Sequence, residues 1–231
     1  MPPAPATIRT HVSIPLRFSD GYSTFARVFS FDGLNDGREH VAFGLGDRAA
    51  PATSTESQTE PLVRPHSECL TGDVFGSERC DCGAQLREAV ERIADSGGYL
   101  LYLRQEGRGI GLYPKLDAYA LQDDGLDTYE ANLALGHRED ERSYLVAAQM
   151  LHALGAPRVA LLSNNPDKAG QLGRFGVTVT ERVPTGVHLS AANARYLATK
   201  ALDGGHTLDV PPPAARDPIL TKGRAGRRGP R

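Results

Sequence analysis

The first third of the chain has the polar and apolar pattern of β-strands. Runs rich in apolar and β-branched residues are separated by short turns such as Asp20-Gly21. A polar stretch of small residues, 47–60, is typical of a loop. The pattern predicts strands over 12–18, 22–31, 40–46 and 62–67.

The hydrophobic period changes at about residue 84. Leu86, Ala89, Val90 and Ile93 recur at the spacing of one helix face, and Gly97 follows them. Strands and helices then alternate to the end of the patterned region. We expect strands at 99–103, 159–162 and 177–183, and helices starting near 114, 127, 140, 166 and 191. Pro114 suits a first helical turn, and Asp127 and Asp140 are the expected caps of the next two helices.

This order predicts a mixed α/β (α+β) fold, in which a strand-rich N-terminal part precedes βα units in a single compact domain. The chain has 231 residues, and 40% of them are hydrophobic, as expected for a globular domain of this size. We expect a flexible N-terminus over 1–10, a folded domain over 11–208, and a disordered Pro/Arg-rich tail over 209–231.

Charge and apolar run lengths narrow the functional classes. The net charge of −2 disfavours a general nucleic-acid binder. The apolar runs are strand-sized, and the N-terminus lacks the apolar core of a signal peptide. We therefore predict a cytoplasmic protein that interacts with neither nucleic acid nor membrane.

The three cysteines, Cys69, Cys80 and Cys82, lie within one short segment, HSECLTGDVFGSERCDCG. An odd count in a chain without a secretion signal argues against a disulfide framework, whereas the clustering indicates a metal site. Three thiolates around zinc would leave a fourth position for water, which is the catalytic pattern. Two alternatives remain: His66 as a fourth ligand, or three unrelated buried thiols.

Three further segments carry candidate chemistry. The glycine-rich RQEGRGIGL (104–112) follows a predicted strand and can bring backbone amides and Arg108 to an anion. The segment SNNPDK (163–168) can hold phosphate at a helix N-terminus through Ser163 and Lys168. The third segment is HREDER (137–142). Each segment also has a purely structural explanation. Residues 104–112 could form a glycine turn, residues 163–168 an Asn-Pro turn, and residues 137–142 the solvated start of a helix.

These four segments, in this order and spacing, resemble GTP cyclohydrolase II of riboflavin biosynthesis. The resemblance extends from about residue 12 to 206, and AYALQDDGLDTYEAN also belongs to it. It implies a stand-alone enzyme that performs the first step of riboflavin biosynthesis. The implied reaction opens the guanine imidazole ring of GTP with release of formate and pyrophosphate. Its product is 2,5-diamino-6-(5-phosphoribosylamino)pyrimidin-4(3H)-one.

The resemblance also implies roles for individual residues. Cys69, Cys80 and Cys82 would hold one Zn²⁺ per chain together with a water, and Mg²⁺ would serve the diphosphate part. Tyr119 would act near the guanine as a proton carrier or water positioner, and Asp140 would be a proton acceptor. The implied GTP-binding residues are Arg64, Pro65, His66, Ser67, Glu68, Gln85, Glu106, Gly107, Arg108, Thr128, Ser163 and Lys168.

Arg142 matches the residue that is proposed to attack the α-phosphate in the family. A guanidinium stays protonated in proteins and is a poor nucleophile. The competing hypothesis is that Arg142 stabilises charge in the transition state while another group attacks. Three positions depart from the family pattern: Ser163 retains a hydroxyl where Thr is common, Pro65 offers no backbone N–H, and Tyr129 replaces a smaller apolar residue.

Other functions remain open from the sequence. One alternative is an enzyme that opens the ring but retains the formyl group and serves a specialised pathway. The others are a zinc-stabilised nucleotide-binding regulator and a nucleic-acid-binding zinc module. The resemblance implies a homodimer.

Overall fold

A computed structural model describes residues 5–50, 60–138, 140–190 and 193. Within them, the chain forms one sheet in the order β1-β2-β3-β5-β4-β6-β7. The strands are β1 Thr7–Arg17, β2 Ser23–Asp32, β3 Val41–Leu45, β4 Leu62–Ser67, β5 Gly98–Leu103, β6 Arg158–Leu162 and β7 Thr178–Val183. The helices are α1 Leu70–Asp73, α2 Cys82–Ser96, α3 Leu112–Asp123, α4 Thr128–Ala134, α5 Leu145–Ala153 and α6 Pro166–Arg174. The predicted mixed α/β fold is confirmed.

The sheet has an antiparallel half and a parallel half. The strands β1, β2 and β3 form an antiparallel meander, and β3 pairs antiparallel with β5. The strands β5, β4, β6 and β7 run parallel to one another. Parallel neighbours require crossover connections, and the helices between these strands provide them.

Helices cover both faces of the parallel half. On one face α5 packs over β4 and β5, and its Leu151 joins a cluster that contains Val63 and Leu101. On the other face α2 contributes Ile93 to a cluster with Leu100. Burial of both faces explains why β5 is a nearly continuous apolar run, whereas β4 is equally buried but includes the polar residues Arg64 and His66.

The N-terminal boundary differs from the prediction. The strand β1 begins at Thr7, so residues 7–10 belong to the sheet although the sequence analysis assigned them to a flexible N-terminus. Pairing with β2 sets this length, because Thr7 lies opposite Asp32. The side chains of β1 are largely exposed, so its sequence carries little apolar signal there. The predicted helix at 191–202 and the tail at 209–231 lie outside the described residues, with Asn193 the exception.

Of the two predicted N-terminal helix caps, the one by Asp127 is confirmed and the one by Asp140 is wrong. At α4, the backbone N–H of Glu130 donates to the Asp127 carboxylate and that of Asp127 donates to the Glu130 carboxylate, which is a capping box. The predicted cap by Asp140 is wrong, because α5 starts only at Leu145. The Asp140 carboxylate instead accepts hydrogen bonds from Arg142. No helix in the described parts of the chain is both long and apolar enough to span a bilayer.

Candidate functional site

The chemistry-bearing segments meet at one edge of the parallel sheet. The cysteine segment follows β4, the glycine-rich loop follows β5, and the Asn-Pro turn follows β6. The carboxyl ends of parallel strands lie at a common edge, where open α/β sheets bind their ligands. The topology therefore explains how segments far apart in sequence come together.

The three thiols converge at this edge. Their sulfur atoms all lie within 4.8 Å of one another, and the Sγ atoms of Cys69 and Cys80 are 3.6 Å apart. Cys69 directly precedes α1, whereas Cys82 opens α2. The packing requires glycine at position 72, since a Cβ there would lie 2.9 Å from Cys80 Sγ and 3.1 Å from Cys69 Sγ. This buried, converging set of soft donors fits a zinc ion.

His66 is not part of the thiol group. Its Nε2 lies 3.1 Å from Asp73 Oδ1, and its ring stacks on Tyr102. The other carboxylate oxygen of Asp73 accepts hydrogen bonds from the Tyr102 hydroxyl at 2.8 Å and from the backbone N–H of Cys69 at 2.9 Å. His66 therefore supports the loop that carries Cys69. Among the described residues, the metal-ligating group consists of the three cysteines.

The thiols influence one another's ionisation. Hydrogen bonds from Cys80 and Cys82, together with the nearby Lys115 ammonium, hold the pKa of Cys69 far below its usual range. The same contact with Cys69 raises the pKa of Cys80 to about 11 and also raises that of Cys82. Cys69 is also the thiol whose sulfur accepts a hydrogen bond from a buried cation.

That cation, Lys115, was not singled out by sequence reasoning. It is only 8% exposed. Its Nζ donates to Glu106 Oε1 at 2.7 Å, Thr71 Oγ1 at 3.1 Å and Cys69 Sγ at 3.2 Å. The pattern of α3 concealed this position, because Leu116 is exposed while Lys115 faces inward.

Glu106 bonds within the protein through both of its carboxylate oxygens. Oε2 accepts from the backbone N–H of Leu70 at 2.7 Å, whereas Oε1 accepts from Lys115 and from the N–H of Gly107 at 3.1 Å. The side chain thereby links the glycine-rich loop to the start of α1.

A cleft opens beside the thiols, and its walls contain many of the residues predicted for the site. The predicted residues that line it are Ser67, Glu68, Cys69, Cys80, Glu106, Gly107, Arg108, Tyr119 and Arg142. Sequence reasoning missed the polar lining residues Gln105, Lys115, Gln122 and Asn132. The amides Gln105, Gln122 and Asn132 lie within segments that the sequence analysis noted, but nothing in those segments singled them out, so the fold was needed to place them at the cleft.

The glycine-rich loop has an unusual backbone. Gly107 and Arg108 both adopt the left-handed conformation, with φ of 62° and 61°, and Arg108 is the one non-glycine residue with positive φ in the described ranges. The Arg108 carbonyl accepts the backbone N–H of Glu141 at 3.0 Å. A Cβ at Gly109 would lie 3.2 Å from the backbone and side chain of Glu141. The loop is therefore closely fitted to residues 140–142.

Asp140 and Arg142 form an ion pair at the cleft. Arg142 Nε donates to Asp140 Oδ1 at 2.9 Å, Nη2 donates to Oδ2, and the Arg142 backbone N–H donates to Oδ1 at 3.0 Å. Burial alone would raise the pKa of Asp140, but the hydrogen bonds and charge of Arg142 lower it overall. Asp140 is thus a stable carboxylate partner of the guanidinium.

Tyr119 lines the cleft together with Cys69 and Cys80, and two cations lie near its ring. The Arg79 guanidinium carbon is 4.8 Å from its ring centroid, and Lys115 Nζ is 5.6 Å away. Burial raises the pKa of the Tyr119 hydroxyl. The phenol therefore remains protonated at neutral pH.

Several other predicted site residues are not among the cleft lining and bond within the protein instead. Arg64 Nη2 donates to Gln85 Oε1 at 2.7 Å and Nη1 to the Leu162 carbonyl at 3.1 Å. Lys168 Nζ donates to the Pro65 carbonyl at 2.9 Å, and Ser163 Oγ accepts from the Asn165 backbone at 3.1 Å. The side chain of Thr128, the first residue of α4, is outside the described structure.

Comparison with known proteins places these observations in a family. A family model described as GTP cyclohydrolase II matches residues 11–184. A GTP cyclohydrolase-2 from Vibrio parahaemolyticus is 51% identical over 187 residues, which are 80% of this chain and 90% of the relative. One from Psychromonas ingrahamii is 46% identical over 206 residues, or 88% and 98% of the two chains. The riboflavin biosynthesis protein RibBA of Bacillus velezensis is 52% identical over 189 residues, which cover 81% of this chain and 46% of that protein.

Proposed function

The chain belongs to the GTP cyclohydrolase II family, and we propose from this premise that it hydrolyses GTP in the first step of riboflavin biosynthesis. The reaction opens the imidazole ring of guanine and releases formate and pyrophosphate, to give 2,5-diamino-6-(5-phosphoribosylamino)pyrimidin-4(3H)-one. The observation that carries this proposal is that metal-binding thiols and anion-binding guanidinium groups line the same cleft. Cys69 and Cys80 line it together with the cationic side chains of Arg108 and Arg142.

In this proposal Cys69, Cys80 and Cys82 hold one zinc ion per chain, with water as the remaining ligand. When bound, zinc supplies a Lewis acid that makes water nucleophilic near neutral pH. The protein fixes the three sulfur atoms through the close approach of Gly72 and through Asp73, which holds the Cys69 backbone. Chemistry at C8 of the guanine would thus take place at the thiol end of the cleft.

Tyr119 is positioned to handle protons at that end. Its hydroxyl stays protonated because burial raises its pKa, so it can donate a hydrogen bond to a ring nitrogen or to an attacking water. The adjacent cations Arg79 and Lys115 stabilise any negative charge that the phenol acquires during proton transfer. We therefore assign Tyr119 the role of proton carrier or water positioner.

Arg142 and Arg108 form the anion-binding end of the cleft. We propose that they bind the triphosphate with Mg²⁺, and that Arg142 stabilises transition-state charge at the α-phosphate. Asp140 has a lowered pKa and is therefore a weak base toward a guanidinium proton. This supports the electrostatic role over nucleophilic attack. Detection of a guanylyl adduct on Arg142 by mass spectrometry would overturn the electrostatic role.

Direct contact with GTP remains a prediction for the residues that lie outside the cleft wall. Several of them bond to one another and to the ends of β4 and β6, which supports a role in holding those ends in place. They are Arg64, Pro65, His66, Gln85, Thr128, Ser163 and Lys168.

The homodimer, the cytoplasmic location and the absence of nucleic-acid partners also remain predictions. Exposed apolar side chains such as Phe75 and Tyr113 support the existence of a protein contact. Light scattering coupled to size-exclusion chromatography would report the oligomeric state, and a mass of one chain would contradict the dimer.

Mass spectrometry of the products tests the proposed reaction. Purified protein loaded with zinc is incubated with GTP and Mg²⁺, and we expect formate, pyrophosphate and the deformylated diaminopyrimidine. Cys82→Ser should abolish ring opening, and Tyr119→Phe should reduce it by about 10²- to 10⁴-fold, the usual contribution of a positioned proton-transfer group. A product that retains the formyl group would establish the alternative reaction. Unchanged GTP with zinc-loaded protein would favour a nucleotide-binding regulator.

A further inference from the structure

The proposed function uses Lys115 only as a cation near Tyr119 and does not account for its direct contact with the thiol cluster. Lys115 reaches from α3 to the thiol cluster, and its ammonium has three acceptors within 3.2 Å: a carboxylate, a hydroxyl and the sulfur of Cys69. An ammonium has three N–H donors, so these contacts satisfy it completely. Burial of a lysine at 8% exposure is costly unless its charge is compensated.

The neighbouring negative charges indicate which groups compensate the positive charge of Lys115. Glu106 alone would neutralise the ammonium. Three thiolates around a divalent zinc would add a net charge of about −1 to the same buried volume. Because the Cys69 sulfur contacts Lys115, the net negative charge of the zinc–thiolate centre would lie next to the ammonium.

A hydrogen bond to a ligand sulfur also has a geometric effect. Groups that hydrogen-bond to a metal-ligating side chain fix the orientation of that ligand. Loss of such a partner usually weakens metal binding or activity by about 10- to 100-fold. Lys115 is anchored by Glu106, which is itself fixed by the backbone of Leu70, the residue next to Cys69. The lysine, the carboxylate and the cysteine loop thus form a closed set of contacts.

We propose that Lys115 is a positioning residue of the zinc site: its ammonium orients the Cys69 thiolate through an N–H···S hydrogen bond and offsets the negative charge of the three-thiolate centre. This inference rests on the zinc site of the proposed function. It goes beyond that function because it assigns a role to a residue that contacts a zinc ligand rather than zinc or GTP. A purely structural role is the competing explanation, in which Lys115 serves only to neutralise Glu106.

The affinity for zinc, measured by competition with a chromophoric chelator in the absence of GTP, separates the two explanations. For Lys115→Met we expect zinc binding weaker by about 10- to 100-fold. The double variant Lys115→Met/Glu106→Gln removes both charges and keeps both volumes, so it tests the site without an unpaired buried carboxylate. We expect its zinc affinity to remain lowered, whereas Glu106→Gln alone, which retains Lys115 beside Cys69, should bind zinc more tightly than the double variant.

The cobalt-substituted proteins give a second readout. A thiolate-to-cobalt charge-transfer band reports the electron density on the sulfurs, and it should shift in Lys115→Met and in the double variant but not in Arg92→Met. That control removes a cation from α2, where Arg92 pairs with Glu88 away from the thiols. Zinc affinity and a cobalt band in the double variant that equal those of the wild type would overturn the proposal.

Failure of this inference can be distinguished from failure of the proposed reaction. A wild-type protein that binds zinc but leaves GTP unchanged would refute the reaction and still permit the affinity comparison. A wild-type protein that binds no zinc would overturn the role of Lys115 together with the zinc site. If Lys115→Met fails to fold, the charge-neutral double variant decides the question.

Discussion

Gly72 is the residue on which the spacing of the three thiols depends. Its missing side chain leaves room for two sulfur atoms, which would otherwise approach a Cβ at 2.9 and 3.1 Å. Contacts this close force a displacement, and zinc-bound sulfurs have little freedom to move because the coordination geometry fixes them. A side chain at position 72 would therefore disturb the arrangement of the thiols that the proposed metal centre needs.

Replacement of Gly72 by Ala should therefore reduce zinc retention. We expect a metal content well below one zinc per chain after dialysis against a weak chelator, and GTP turnover should fall in proportion. Elemental analysis of the purified variant makes the measurement. Gly170→Ala is the matched control, since a Cβ at that position in α6 meets open space. Full zinc occupancy in Gly72→Ala would contradict the steric explanation.

Gly109 couples the glycine-rich loop to the Asp140–Arg142 pair. Gly109→Ala should slow GTP turnover by up to about 100-fold, because a Cβ would displace Glu141 and misplace the neighbouring Arg142. Positive φ adds a stability cost of about 1–2 kcal/mol for any L-residue. Steady-state kinetics and thermal unfolding are measured together.

Gly155→Ala supplies the comparison for Gly109→Ala. Gly155 also has positive φ, but a Cβ there meets no atom within 4 Å, so this variant should lose stability and keep its turnover. Equal loss of turnover in the two variants would show that the steric contact with Glu141 is irrelevant.

At the residue scale, the sequence reveals the cysteines because they are rare and clustered, whereas it conceals Lys115. A lysine in an apparently amphipathic helix is normally placed on the solvent side. In α3 the arrangement is the opposite: Lys115 and Ala118 are buried, whereas Tyr113 and Leu116 are exposed. Only the tertiary contacts with Cys69 and Glu106 account for this orientation.

At the scale of single elements, α6 shows how local sequence places a side chain at the site. The Asn165 side chain accepts the backbone N–H of Asp167 at 2.9 Å, and Pro166 occupies the first helical position. The helix then directs Lys168 to the Pro65 carbonyl on the neighbouring strand. The cap therefore influences both the stability of the helix and the position of a predicted GTP-binding residue.

Asn165→Ala should lower the free energy of unfolding by about 1 kcal/mol, with a range of 0.5–2 kcal/mol for lost N-caps. Urea titration followed by circular dichroism measures the change. Asn165→Asp keeps a side-chain acceptor at the cap and should retain most of the stability. If both variants are destabilised equally, the hydrogen bond to Asp167 is not the cause.

The elements differ in how visible they are in the sequence. The cap of α4 was predictable because Asp127 and Glu130 lie at capping-box spacing. The same type of signal failed at Asp140, where the carboxylate found a stronger partner in Arg142. Propensity describes what a residue can do locally, and tertiary partners decide between the available choices.

At the scale of the whole molecule, stability should depend on pH through His66. Burial lowers the pKa of this histidine, and the nearby Asp73 carboxylate offsets only part of that effect. His66 is therefore neutral in the folded protein, while the unfolded chain takes up a proton below about pH 6.5. Because the unfolded state then binds more protons, the free energy of unfolding falls as the pH decreases from about 6.5.

His66→Gln removes this contribution. The slope of unfolding free energy against pH between about 6.5 and 5 should flatten by up to about 1.4 kcal/mol per pH unit, the value for one proton. Urea titrations of both proteins across this range measure it, and the other histidines cancel in the comparison. An unchanged slope would mean that His66 is protonated in the folded state.

The strand order of the sheet also determines which contacts the chain can make early in folding. The meander β1–β2–β3 joins neighbours in sequence, and its closure is entropically cheap. The strand β4 does not pair with β3, which precedes it in the chain; it pairs in parallel with β5 across a helical crossover and with the distant β6, where Leu62 lies opposite Ala160. Assembly of the parallel half therefore has high contact order and should limit the folding rate. The cleft is thus completed late, only after the strands that supply its three principal loops have docked.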